Sequence, residues 1–214
     1  MPSAVKSVAL VALVLAIAGC QRAGEIDPTG GITAIRSACP AVGVPVGTGD
    51  ITLFDPPGQR TAAAIDVTAV ITNVRSQCSD SGETIASTLS FDVLGQRRDT
   101  ATAREVVLPY FVTVTRAGSQ IVAKQVGQVA LRFEAGQARA STSAQASANV
   151  QRAAATLPQE VRERLTQRRK AGRQEAAVDP LSSPEVRDAV ARATFEALVG
   201  FQLTEDQLRY NATR

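Results

Sequence analysis

The sequence predicts a mainly β protein with a C-terminal α region: an antiparallel sheet or β-sandwich followed by two to three helices. Three observations carry this reading. Between residues 62 and 150 apolar side chains recur at every second position in run after run. The connections between runs are short, so consecutive strands pair antiparallel. From Thr156 onward the period widens and helix-capping signals replace turn signals.

The elements follow in order. Residues 21–36 mix polar residues, Gly and Pro without a sustained period, which describes a flexible tether. Pro40, Gly43, Pro45, Gly47, Gly49, Pro56, Pro57 and Gly58 punctuate a loop-rich entry with one short strand candidate at residues 51–54. Ile65, Val67, Ala69 and Ile71 then alternate with polar residues, as do Ile85, Leu89, Phe91 and Val93. Val106, Leu108, Tyr110, Val112 and Val114 form one apolar face; Ile121, Ala123, Val129, Leu131 and Phe133 form another. Arg116 to Ser119 reads as a hairpin loop between these two runs. Gly127 interrupts the second, and a bulge is expected there. Pro109 cannot donate to a ladder, so its strand is expected at an edge or broken. Residues 138–150 are rich in alanine, a helix former, yet Ala138, Ala140, Ala144, Ala146 and Ala148 alternate strictly with polar residues, which favours a strand with a small inner face.

Thr156, Pro158 and Gln159 open a helix expected to run to about Lys170 and to end at Gly172. Ser182, Ser183, Pro184 and Glu185 open a second, expected to bury Val186, Ala189, Val190, Ala193, Ala197 and Phe201, with Gly200 near its end. Thr204 to Gln207 caps a short third helix through Leu208 to Tyr210. An apolar sheet face needs a cover, supplied either by a second sheet or by these helices. The strand run with its entry cysteine pair resembles an immunoglobulin or fibronectin-type sandwich by pattern over residues 50–150, without the tryptophan that marks true immunoglobulin domains.

Composition narrows the chemistry. The chain has 214 residues, 44% hydrophobic and 20% charged, which suffices for a globular core. It contains no histidine, so no Ser-His-Asp or Cys-His dyad and no zinc site needing imidazole can be built. Aromatics at 4% leave little for base stacking, and a net charge of +3 over this length is a weak field. No Walker loop, GxGxxG, nucleophile elbow or EF-hand pattern occurs. No cofactor or metal is expected, and no carboxylate pair is privileged as an acid and base. The expectation is a non-catalytic protein.

The amino terminus carries the most specific signal. Lys6 precedes an apolar run at residues 8–16, too short to span about 30 Å of hydrocarbon. The run leads into Leu15-Ala16-Ile17-Ala18-Gly19-Cys20. These residues resemble the bacterial lipobox, and the whole chain is similar to uncharacterised envelope lipoproteins of alphaproteobacteria. The resemblance implies a lipoprotein signal peptide over residues 1–19, diacylglyceryl (with palmitate-type acyl chains) on the Cys20 thiol, and a lipidated tether over 20–36. Gln21 rather than aspartate after the cysteine implies sorting to the outer membrane, facing the periplasm. An ordinary secretory signal with an incidental Cys20 is the alternative. Lipid attachment would make the membrane the first partner, with acyl chains each contributing about 0.8 kcal/mol per buried methylene.

In that oxidising compartment the remaining pair, Cys39 and Cys78, is expected to form a disulfide closing a loop of about 39 residues; two buried free thiols are the alternative. Residues 37–151 then make a β-rich domain and 152–214 a helical region on or beside the sheet. Arg164, Arg168, Arg169, Lys170 and Arg173 crowd the first helix and its end, a candidate anion-binding face for lipopolysaccharide phosphates, peptidoglycan carboxylates or another envelope component, or else a solvated face favourably placed at a helix C-terminus. Nucleic acid is not an expected partner of an exported protein. The function expected is a structural or interaction role in the cell envelope. The alternatives are a carrier sheltering an apolar ligand between sheet and helices, and a carboxylate-based hydrolase.

Overall fold

A computed structural model describes residues 37–167 and 178–213. Residues 37–161 and 181–213 form one compact body. Its strands are β1 (Ala41–Gly43), β2 (Asp50–Phe54), β3 (Ile65–Ser79), β4 (Thr84–Arg97), β5 (Arg104–Arg116), β6 (Gln120–Phe133), β7 (Arg139–Gln151) and β8 (Phe195–Phe201). The helices are α1 (Arg152–Ala155), α2 (Gln159–Thr166), α3 (Pro184–Arg192) and α4 (Glu205–Thr213). Residues from Arg162 to the end of α2 are not part of that body.

The strands form two four-stranded sheets, in the orders β1-β8-β5-β6 and β2-β3-β4-β7. All pairs are antiparallel except β1 with β8. Of the two covers open to the sheet, a second sheet is the one realised. Leu89, Phe91 and Val93 of β4 meet Leu108, Leu131, Phe133 and Phe201 from the opposite sheet in one fully buried core. Each such side chain contributes about 1.5–3 kcal/mol on leaving water. The sheets pack tightly at Gly95, where a Cβ would collide with the Leu131 side chain. Arg104 of β5 bridges to Asp66 of β3 at 2.8 Å, a second tie between the layers.

The alternating run at 138–150 is a strand, as its serines and glutamine at odd positions require. The hairpin at Arg116 to Ser119 is also present, with Ala117 and Gly118 both at positive φ. Three expectations are corrected. Helix α3 stops at Arg192 and residues 195–201 are a strand, not a continuation of the helix. Thr194 turns its hydroxyl back onto the Val190 carbonyl at 2.7 Å, Arg116 donates to the carbonyl of Arg192, and Phe195, Ala197, Val199 and Phe201 then alternate inward. Gly200 suits a strand here because Thr48 and Phe111 press where a Cβ would stand.

Pro109 does not break β5. The strand is central between β8 and β6 from Tyr110 to Arg116, and from Arg104 to Pro109 it pairs with β6 only, so the missing donor falls where β8 ends. Gly127 is not a bulge. It pairs in register with Tyr110, and the Tyr110 ring lies across it, 2.5 Å from where a Cβ would be. The irregularity in this hairpin sits between Val114 and Thr115, which pair with Ala123 and Ile121 and leave Val122 over.

Helix α4 begins with the predicted cap: Thr204 Oγ1 accepts from the Gln207 amide, and Gln207 Oε1 accepts from the Thr204 amide. It extends to Thr213, three residues past the expected end. Its Asn211 amide donates to the carbonyls of Gly47 and Asp50, both at 2.9 Å, and Tyr210 packs edge-on against Phe54. The helix thereby covers β2, an edge strand.

A bulge in β3 places Asn73 at φ 53 and aims its side chain at Asp92. Asp92 accepts from the Ser143 hydroxyl and the Asn73 amide, each at 2.7 Å. The Ser143 bond first, then the Asn73 bond, holds the carboxyl below the ordinary aspartate range. Because the folded value is the lower one, the contribution to stability is present at neutral pH and lost as pH falls through it. Ser143→Ala is expected to raise the Asp92 titration midpoint, read by carboxyl ¹³C NMR; an unchanged midpoint would remove Ser143 as the cause.

Candidate functional site

The sandwich closes along β1 and β2 but opens along its other margin, where β6 faces β7. The apolar face expected on β6 is buried only at Val129, Leu131 and Phe133; Ile121 and Ala123 are exposed. Opposite them, β7 offers Ala140, Ala144 and Ala146, half-buried and too small to fill the space between the layers. The result is a cleft of about 430 Å³ lined by Thr88, Tyr110, Val112, Gln125, Val126, Gly127, Gln145, Ala146 and Ser147.

Each lining group has a local reason for its place. Tyr110 is on the inward face of β5 and is held by an edge-on contact with Phe91, ring centroids 5.1 Å apart. Gly127 leaves room for that ring. Gln125 shares the inward parity of β6, and Gln145 lies on the outward face of the Ala-lined strand. The chemistry is neutral: two carboxamides, hydroxyls and small apolar surface. Such a lining can hydrogen-bond and shelter a neutral or peptide-like group, and it holds no carboxylate to move a proton. A groove of about 370 Å³ crosses the outer face of the β2-β3-β4-β7 sheet, over Thr68, Val70, Leu94, Gln96 and Arg139. Among the described residues, no three His, Cys, Asp or Glu side chains are grouped to hold a metal.

The residues singled out from sequence fall elsewhere. Cys39 and Cys78 are joined, with Cα atoms 6.1 Å apart. Cys20 lies outside the described residues, as do Arg168, Arg169, Lys170 and Arg173. Arg164 is described: it stands exposed in the last turn of α2, where a cation complements the helix dipole. Leu157, Val161 and Leu165 are half-buried at four-residue spacing, which gives α2 its narrow apolar stripe.

No protein-family model matches the sequence, and no curated protein or solved structure matches it.

The open margin was missed in the sequence for a definable reason. Tyr110 reads as core and Gly127 as a bulge until the β5–β6 register pairs them. One signal was available: between Ala140 and Val150 there is no charge, no Gly and no Pro, which is unusual for a strand left at an edge.

Proposed function

We propose that the chain is a lipid-anchored protein of the bacterial cell envelope that works by binding: acylated at Cys20, held by the tether at residues 21–36, and placed in the outer membrane facing the periplasm. The observation that supports this best is the Cys39–Cys78 bridge following a lipobox-type amino terminus. Disulfides persist in the oxidising periplasm and are rare in the cytosol, so the two features agree on one compartment. The neutral lining of the β6–β7 cleft supports a binding role over an acid–base one.

The test is a Cys20→Ala variant expressed in a lipoprotein-processing bacterium. The parent protein is expected to take up labelled palmitate and to partition into the detergent phase. The variant is expected to lose the label and leave that phase. Unlabelled parent protein, or a variant that stays wholly with membranes, would overturn the anchor.

A further inference from the structure

We propose that two copies of this chain pair through β7, antiparallel and centred on Gln145, to join their β2-β3-β4-β7 sheets into one continuous sheet. The inference does not depend on the lipid anchor.

It begins with which backbone groups have no partner among the described residues. The β4–β7 register runs without interruption from Thr84↔Gln151 to Gln96↔Arg139. Just beyond its ends, Arg152 donates its amide to the Glu83 carbonyl and Arg97 donates its amide to the Ala138 carbonyl. Antiparallel bonding alternates along a strand, so the even-numbered residues of β7 point their N–H and C=O groups at β4. The odd-numbered ones, Arg139, Ser141, Ser143, Gln145, Ser147, Asn149 and Gln151, point theirs at the open edge. These outward-facing donors and acceptors, in one extended row, form a template for another strand.

The other three margins are defended. β1 has three residues. β2 has α4 beside it, tied by Asn211. β6 carries the irregularity at Val122 and the charges of Lys124 and Arg132. β7 has none of these devices beyond Arg139 at its start.

The sequence of β7 argues for a second copy as the occupant. It is nearly a palindrome in residue class about Gln145. Two-fold pairing sets Gln145 against itself, Ser143 against Ser147, Ser141 against Asn149, and Ala144 against Ala146. Each side chain keeps its face, because even positions meet even ones and the small inner row of one copy continues into that of the other. Arg139, the single charge, falls opposite the neutral Gln151 and far from the second Arg139, so no like charges oppose one another. A strand of mixed large and charged residues would lack this self-complementarity.

The test uses the full chain in detergent with three variants. Gln145→Cys is expected to give a disulfide-linked dimer on mild oxidation, reversed by reductant, because the two 145 positions are directly opposite. Ser141→Cys is expected to remain unlinked, since its two copies lie eight positions out of register, about 27 Å apart. Ser147→Pro removes one edge donor without touching the β4 ladder, and is expected to convert a sedimenting dimer into a folded monomer with an unchanged circular dichroism spectrum. The proposal is overturned if the parent chain sediments as a monomer at micromolar concentration, if Ser141→Cys cross-links as readily as Gln145→Cys, or if Ser147→Pro stays dimeric. A monomer that gains order on addition of an extended peptide would assign the edge to a different strand, and would equally overturn it.

Discussion

Replacing Cys39 and Cys78 together by serine is expected to lower the unfolding free energy by about 4 kcal/mol, the chain-entropy value for a closed loop of this length. The positions explain why the loss should approach that value. Cys39 leads into β1 in one sheet, and Cys78 lies near the end of β3 in the other. The bridge therefore fastens a three-residue parallel strand that, among the described residues, pairs with β8 alone. Domains of this kind hold about 5–15 kcal/mol in total, so the change is a large fraction of the whole. Urea unfolding of the oxidised protein and the double variant measures it directly. Hydrogen exchange adds a second readout, with the amides of residues 41–43 expected to lose protection first. A difference below about 1 kcal/mol would show that the bridge closes a loop already ordered in the unfolded chain.

How much of this was legible can be argued from particular residues. The strands were, because a half-buried strand has to alternate, and even the alanines of β7 kept the period once serine marked the outer face. Strand β8 was not. Val186, Ala189, Val190, Ala193 and Ala197 fit a helical stripe, while Phe195, Ala197, Val199 and Phe201 fit a strand; the two patterns overlap, and only the Thr194 stop and the partners β1 and β5 decide between them. Asn211 begins a formal glycosylation sequon, but its amide is spent on two backbone carbonyls that cap an edge, a role set by residues about 160 positions away. The open margin depends on cross-strand register, which local pattern does not carry. The Cys39–Cys78 pair was legible by count alone.

Arg97 belongs to the illegible set, and it supports the second large effect. Its position shares the inward parity of Ile85, Leu89, Phe91 and Val93, yet a charged residue there belongs to no motif. The structure buries it to 3% exposure, with its guanidinium 5.2 Å over the Phe133 ring. It donates to the carbonyls of Gln137 at 3.0 Å, Thr102 at 2.6 Å and Glu134 at 2.7 Å, and more weakly to Thr100 at 3.5 Å. These carbonyls belong to two of the connections that cross between the sheets, from β4 to β5 and from β6 to β7. A planar fork of five donors can serve both at once; an ammonium cannot.

Arg97→Met is therefore expected to cost about 2–4 kcal/mol. Two opposing terms decide the sign. Removing a buried charge relieves desolvation, which is why exchanging a buried ion pair for apolar side chains is often neutral. Here, however, the acceptors are part-buried backbone carbonyls that stay behind, and each bond lost from a charged donor costs about 1.5–3 kcal/mol before water replaces it. Three well-formed bonds are lost together, so the second term wins. Arg97→Lys should fall between parent and Met, since one ammonium reaches part of the set. Chemical-shift changes are expected to concentrate in residues 98–103 and 134–138, with the β3–β4 hairpin unaffected. If Arg97→Met unfolds at the same urea concentration as the parent, the crossovers are held by their own backbone bonds, such as Gly136 N–H to the Thr100 carbonyl at 2.7 Å, and the guanidinium only fills space.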